Sequence, residues 1–81
     1  MNFGEALTVI KAHVKVARSS WKDGRYIKYF SPLAHGFADA FEVDGIEKPL
    51  LPFIIMSTVD NMWVPWSPSN EDTIAEDWIA I

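Results

Sequence analysis

Residues 53–66 read Phe53-Ile54-Ile55-Met56-Ser57-Thr58-Val59-Asp60-Asn61-Met62-Trp63-Val64-Pro65-Trp66. Two runs rich in β-branched and aromatic residues, separated by an Asp-Asn pair, are the pattern of two antiparallel strands joined by a tight turn. The stretch predicts a strand over Phe53 to Val59, a two-residue hairpin turn at Asp60-Asn61, and a partner strand over Met62 to Trp66. Proline has no backbone N–H to give to a ladder, so Pro65 puts this partner near an edge or ends it there.

Working outward toward the N-terminus, Tyr26 to Ser31 and Lys15 to Ser19 read as further short strands, with a loop over Trp21 to Arg25 and Gly24 at its turn. Phe37 to Val43 alternates weakly and is a third candidate strand. The Asp44-Gly45 pair then turns the chain, and Pro49 and Pro52 mark an irregular connection. At the start, Phe3, Ala6, Leu7, Ile10 and Val14 fall at helical spacing, predicting an amphipathic helix from about Phe3 to His13. Asn2 caps it, and Glu5 completes a capping box by reaching back to the Asn2 amide. Toward the C-terminus, Ser69 followed by Asp72 is a second capping-box-like start, for one or two helical turns to about Glu76. Trp78 to Ile81 closes as a final strand, with Trp78 in the core. The fold class is α+β: an N-terminal helix packed on a small antiparallel sheet, with a short helical turn near the C-terminus.

Eighty-one residues make one domain, residues 1–81, and 49% apolar residues with four glycines and five prolines exclude disorder. No apolar run approaches the roughly 18 to 20 residues of a membrane span, and the first residues lack the pattern of a signal peptide. The expectation is a soluble, cytosolic protein. With no cysteine and two histidines the chain has neither disulfides nor a thiolate metal site, so no metal or cofactor is expected. A domain this small without such staples is expected to self-associate, the more so with four tryptophans and five phenylalanines to cover.

The net charge of −4 conceals a division. Residues 1–30 hold Lys11, Lys15, Arg18, Lys22, Arg25 and Lys28 against Glu5 and Asp23, whereas residues 31–81 hold Lys48 against nine carboxylates. Duplex nucleic acid calls for an overall basic excess, which is lacking. A small anionic ligand needs only a local cluster.

Catalytic signals are weak. No serine sits in a nucleophile elbow, His13 ends the first helix, where a histidine meets free carbonyls and the dipole, and His35 lies in a polar loop. Glu71, Asp72, Glu76 and Asp77 lack the ligand alternation and mid-loop glycine of a calcium loop, and first-turn capping accounts for them. The four glycines are too dispersed for a phosphate loop. Amides and hydroxyls around Ser67, Ser69 and Asn70 offer a phosphate site at a helix start. More informative is Trp21, an aromatic plate between Lys15-Arg18 and Lys22-Arg25, which suits a nucleotide whose base stacks while cations meet its phosphates. The competing reading places the tryptophans in core or subunit interface.

Met1-Asn2-Phe3-Gly4-Glu5-Ala6-Leu7, then Val16-Ala17-Arg18 and Trp21, with Val64-Pro65-Trp66-Ser67-Pro68-Ser69, Asp72 and Ala75-Glu76-Asp77-Trp78, closely resemble a family of small bacteriophage proteins, the second type of Thoeris anti-defence protein. The chain departs from the family pattern at His13, where relatives often have a glycine turn, and at Asp60-Asn61, which replaces a common Asp-Gly. The resemblance implies a non-enzymatic sponge that holds the cyclic nucleotide signal glycocyclic ADP-ribose away from its effector in the infected host's cytoplasm. It also implies a homo-oligomer, typically a tetramer, with pockets where subunits meet. Some relatives bind cyclic oligonucleotides. Arg18, Trp21 and the Trp66 to Asp72 segment carry over as candidate contacts. The candidate ligand-binding set is Arg18, Trp21, Arg25, Tyr26, Trp66, Ser67, Ser69, Asn70 and Asp72. Two other readings stay open at this point, a structural or interaction module and a nucleotide-cleaving enzyme.

Overall fold

The structure is a computed structural model, and it describes residues 1–32 and 41–81. Helix α1 (Phe3–Lys11) is followed by β1 (Val16–Arg18), β2 (Tyr26–Phe30), β3 (Phe41–Val43), β4 (Ile46–Lys48), β5 (Phe53–Ser57), β6 (Trp63–Pro65), α2 (Asn70–Ile74) and β7 (Trp78–Ala80). A five-stranded sheet has the order β6-β5-β2-β1-β7, all antiparallel, and β3 and β4 make a separate two-stranded sheet. The class is α+β, and β6, which carries Pro65, is an edge strand.

Period-two alternation sorts the main sheet's side chains. Val16, Ile27, Met56 and Trp78 meet Ala6 and Ile10 of α1 in the buried core. The opposite face holds Tyr26, Lys28 and Phe30 beside Ser57, Ile55 and Phe53, which are their register partners. Both capping boxes form. The Asn2 side chain accepts from the Glu5 amide at 2.8 Å while Glu5 accepts from the Asn2 amide at 2.9 Å, and Ser69 and Asp72 repeat the exchange at 3.1 Å.

Several boundaries differ from the sequence reading, each for a physical reason. Helix α1 stops at Lys11 because His13 takes a left-handed backbone, φ 65°, and its amide turns back to the Ile10 carbonyl at 2.9 Å. The β5–β6 turn has three residues rather than two. The Asn61 amide donates to the Thr58 carbonyl at 3.0 Å and the Thr58 amide to the Met62 carbonyl at 2.9 Å. Asn61, at φ 64°, fills the left-handed position of a type I turn with bulge. Strand β4 occupies part of what reads as an irregular connection. It pairs with β3 across Asp44-Gly45, at φ 53° and 79°, the two positive values that a type I′ turn needs. Helix α2 ends at Ile74, leaving Glu76 and Asp77 beyond it. The candidate strand Phe37 to Val43 falls in its first four residues outside the described residues, as does His35.

His13 and Asn61, the two positions at which the resemblance leads one to expect glycine, both adopt the backbone that glycine adopts most cheaply. A left-handed residue with a side chain costs roughly 1–2 kcal/mol, less for asparagine. His13→Gly is therefore expected to raise stability in urea unfolding by about 0.5–1 kcal/mol, and Asn61→Gly by less, while His13→Ala, which keeps the strain, brings no such gain.

Candidate functional site

Trp21 comes from the β1–β2 loop, where its amide bonds to the Arg18 carbonyl at 2.9 Å. Trp66 follows the edge strand, and its amide reaches the Ile54 carbonyl at 3.0 Å, which turns its indole to the helix side of the sheet. The two rings meet edge-on, 6.5 Å between centroids. Both also stand edge-on to the buried Trp78, at 5.4 and 6.0 Å, and Phe3 closes the group at 5.5 Å from Trp78. Trp21 and Trp66 are half-buried. Their edges contribute to the core cluster, and each keeps an exposed portion.

Cations border this cluster in two different states. The Arg25 guanidinium lies 4.8 Å from the Trp21 ring centroid and is paired with Asp23 at 2.9 Å in an exposed ion pair. Arg18 is 12% exposed and held by two carboxylates, through Nε to Asp77 at 2.6 Å and through Nη1 to Asp72 at 3.0 Å. Asp77 also accepts from the Ser19 hydroxyl at 3.1 Å. The hydrogen bond to Asp77 outweighs desolvation and raises the Arg18 pKa. The same bond, helped by Ser19, holds the Asp77 carboxyl below its ordinary value. For Asp72, burial pushes upward, but the Ser69 amide and hydroxyl together with Arg18 win and lower it. Asp23 is lowered, chiefly by the Arg25 amide.

The structure thus brings together Trp21, Trp66, Arg25, Arg18, Asp72 and Ser69 along one side of the helix-covered face. Ser67 and Asn70 are exposed in the same segment. Arg18 and Asp72 serve each other, and the Asp72 amide and the Ser69 hydroxyl are joined in the cap of α2. Tyr26 is not part of this group. It lies on the opposite face of the sheet, 6.0 Å edge-on from Trp63, with the Lys15 ammonium 4.7 Å from its ring.

That opposite face has its own groove of about 290 Å³, lined by Lys28, Tyr29, Phe30, Phe53, Ile55 and Trp63. The sequence reading did not single it out. Its signal was present in the alternation of Tyr26, Lys28, Phe30 and of Phe53, Ile55, which puts large side chains on both faces of β2 and β5. Asp77 as a clamp on Arg18 was also missed, because it was assigned with the helix-start carboxylates whereas it follows the helix.

The aromatic cluster, bordered by one anchored and one loosely held arginine, belongs to a small α+β protein that comparison with known proteins places in a class of phage anti-defence proteins. The family model described as Tad2-like, Thoeris anti-defense 2-like domain, matches residues 1–81, and the chain belongs to this family. It is 39% identical over 82 residues to Thoeris anti-defense 2 of Bacillus phage SP01, spanning 96% of this chain and 91% of the relative.

The depressed carboxyls fix the sign of one pH dependence. A carboxyl held below its ordinary 3.8 stabilises the fold in full above that value, and the contribution fades as pH falls through the lower folded-state values. The thermal midpoint is expected to drop on acidification between about pH 5 and pH 2. Asp77→Asn should shrink that drop while lowering the midpoint at neutral pH; an unchanged acid profile in this variant would contradict the clamp.

Proposed function

We propose that the protein is a sponge: it binds glycocyclic ADP-ribose and holds it away from the Thoeris effector without degrading it. The observation carrying this reading is family membership over the whole chain, with a relative named Thoeris anti-defense 2. The site supports it through the disposition of its arginines. A nucleobase stacking on Trp21 must displace Arg25 from the ring, and the Arg25–Asp23 pair is solvent-screened and weakly held, so the exchange is cheap. The released guanidinium then meets a phosphate. Arg18 is committed to two carboxylates and acts by fixing the loop that presents Trp21.

Affinity arithmetic argues for a pocket shared between subunits. A nanomolar complex corresponds to roughly −12 kcal/mol, one stacked base gives about 1–3 kcal/mol, and a hydrogen bond to a charged group about 1.5–3 kcal/mol. One half-buried indole and one mobile arginine fall well short. The reading therefore includes a homo-oligomer, a tetramer by the resemblance, acting in the cytoplasm of the infected bacterium. Sequestration requires no bond to break, so neither a nucleophile nor a metal is part of it.

A second reading, a structural or interaction module, is favoured by the packing of Trp21 and Trp66 against Trp78. Titration calorimetry with glycocyclic ADP-ribose separates the two, with heating afterwards to recover the ligand intact. Trp21→Ala is expected to weaken binding about 10- to 100-fold at unchanged oligomeric mass, whereas the structural role predicts a changed mass. Binding of a cyclic oligonucleotide instead would redirect the sponge to that signal class. Turnover at catalytic protein concentration would make the protein an enzyme, and no binding to either ligand rejects the proposal.

A further inference from the structure

A site for an anion ordinarily gathers positive charge, and the rim of the Trp21–Trp66 cluster does not. Its two guanidinium groups, Arg18 and Arg25, face three carboxylates, Asp23, Asp72 and Asp77. Exposed Lys22, beside Trp21 in the loop, brings this balance only to zero. Lys15 and Lys28 do not help, because they stand on the opposite face of the sheet.

Two of the carboxylates are accounted for by what they hold. Asp77 and Asp72 anchor Arg18, and Asp72 also caps α2. Asp23 ties nothing distant together. Its Oδ1 accepts from the Arg25 amide at 3.2 Å, and its two oxygens accept from Arg25 Nε at 3.0 and 2.9 Å, all inside one exposed loop that turns at Gly24, φ 89°. This local turn fixes the carboxylate to the loop. Between the two side chains it is Nε that donates, so the Nη1–Nη2 fork of Arg25 is left for a phosphate. A phosphate seated there has the Asp23 carboxylate beside it, and the repulsion grows with the charge that the phosphate carries. A phosphate closed into a ring carries one negative charge. A terminal phosphate takes a second, with a pKa of about 6.

We infer that Asp23 is a specificity-determining residue: its carboxylate, fixed beside the fork of Arg25, turns away nucleotides that end in a terminal phosphate and admits cyclic ones whose phosphates carry a single charge each. The inference rests on the sponge reading and names the ligand class that the site rejects. A net-neutral rim suits this task, since a bare anion gains nothing there without a base to stack.

The test compares glycocyclic ADP-ribose with ADP, which has the same base and number of phosphates but ends in a terminal one. Calorimetry of the whole chain measures the cyclic ligand directly and ADP by displacement, for the wild type, Asp23→Asn and Asp23→Glu. Asparagine keeps the oxygen that accepts from Arg25 and removes the charge, whereas glutamate keeps the charge. In about 0.01 M salt, where screening is weak, Asp23→Asn is expected to raise ADP affinity roughly 3-fold more than that of the cyclic ligand. The gap should close in about 1 M salt, and Asp23→Glu should keep the wild-type preference. Equal shifts for both ligands, as a merely structural role predicts, a gap that survives high salt, or ADP that binds neither wild type nor Asp23→Asn overturns the inference and leaves the sponge standing. No binding of the cyclic ligand to the wild type overturns both.

Discussion

The fold hangs on the burial of one indole. Trp78 has no exposed surface; its Nε1 donates to the Asp72 carbonyl at 3.0 Å, and its amide donates to the Met1 carbonyl at 3.1 Å. Three rings pack on it from α1, the β1–β2 loop and the segment after β6. Burying a side chain of this size contributes at most roughly 5 kcal/mol, comparable with the whole stability of a domain this small, about 4–12 kcal/mol at the usual per-residue value. Elements far apart in sequence are thereby gathered around a single ring, and the aromatic site is an outgrowth of that gathering.

Electrostatics then decide which parts of the site are stiff. Arg18 ends β1 and reaches both the N-terminal turn of α2 and the residue before β7, so one guanidinium ties three segments together at the rim of the aromatic cluster. Its partners are only partly exposed, and losing it would strand two carboxylates there. Arg25, two strands' loop away, has a single exposed partner and a ring beneath it. The two arginines look alike in sequence and differ by what surrounds them.

Most of the fold was legible because local chemistry and tertiary packing agree. Asn2 with Glu5 and Ser69 with Asp72 mark both helix starts, Pro65 marks the sheet edge, and Trp78 marks the core. What was not legible depends on partners distant in sequence. Strand β4 contains Glu47, Lys48 and a single apolar residue, Ile46, and becomes a strand only through the turn that folds it onto β3. Asp77 looks like one more acidic tail residue until β1 brings Arg18 alongside. The placement of Tyr26 away from Trp21 is a matter of parity: they are five residues apart with a turn between, so which face each takes is set by the pairing of Val16 with Ile27. Left-handed backbone at His13 and Asn61 was foreshadowed only by the departures from glycine in a resembling family.

The position of Pro65 reaches beyond its own strand. Trp66, its neighbour, donates inward to Ile54, so the proline nitrogen faces the outer margin of the sheet, where it offers no hydrogen to an incoming strand. The sheet is blunted on that side against ribbon-like growth. On the proposed sequestering function, capacity scales with copy number, and a sheet closed to strand addition on this side favours a population that stays dispersed when abundant.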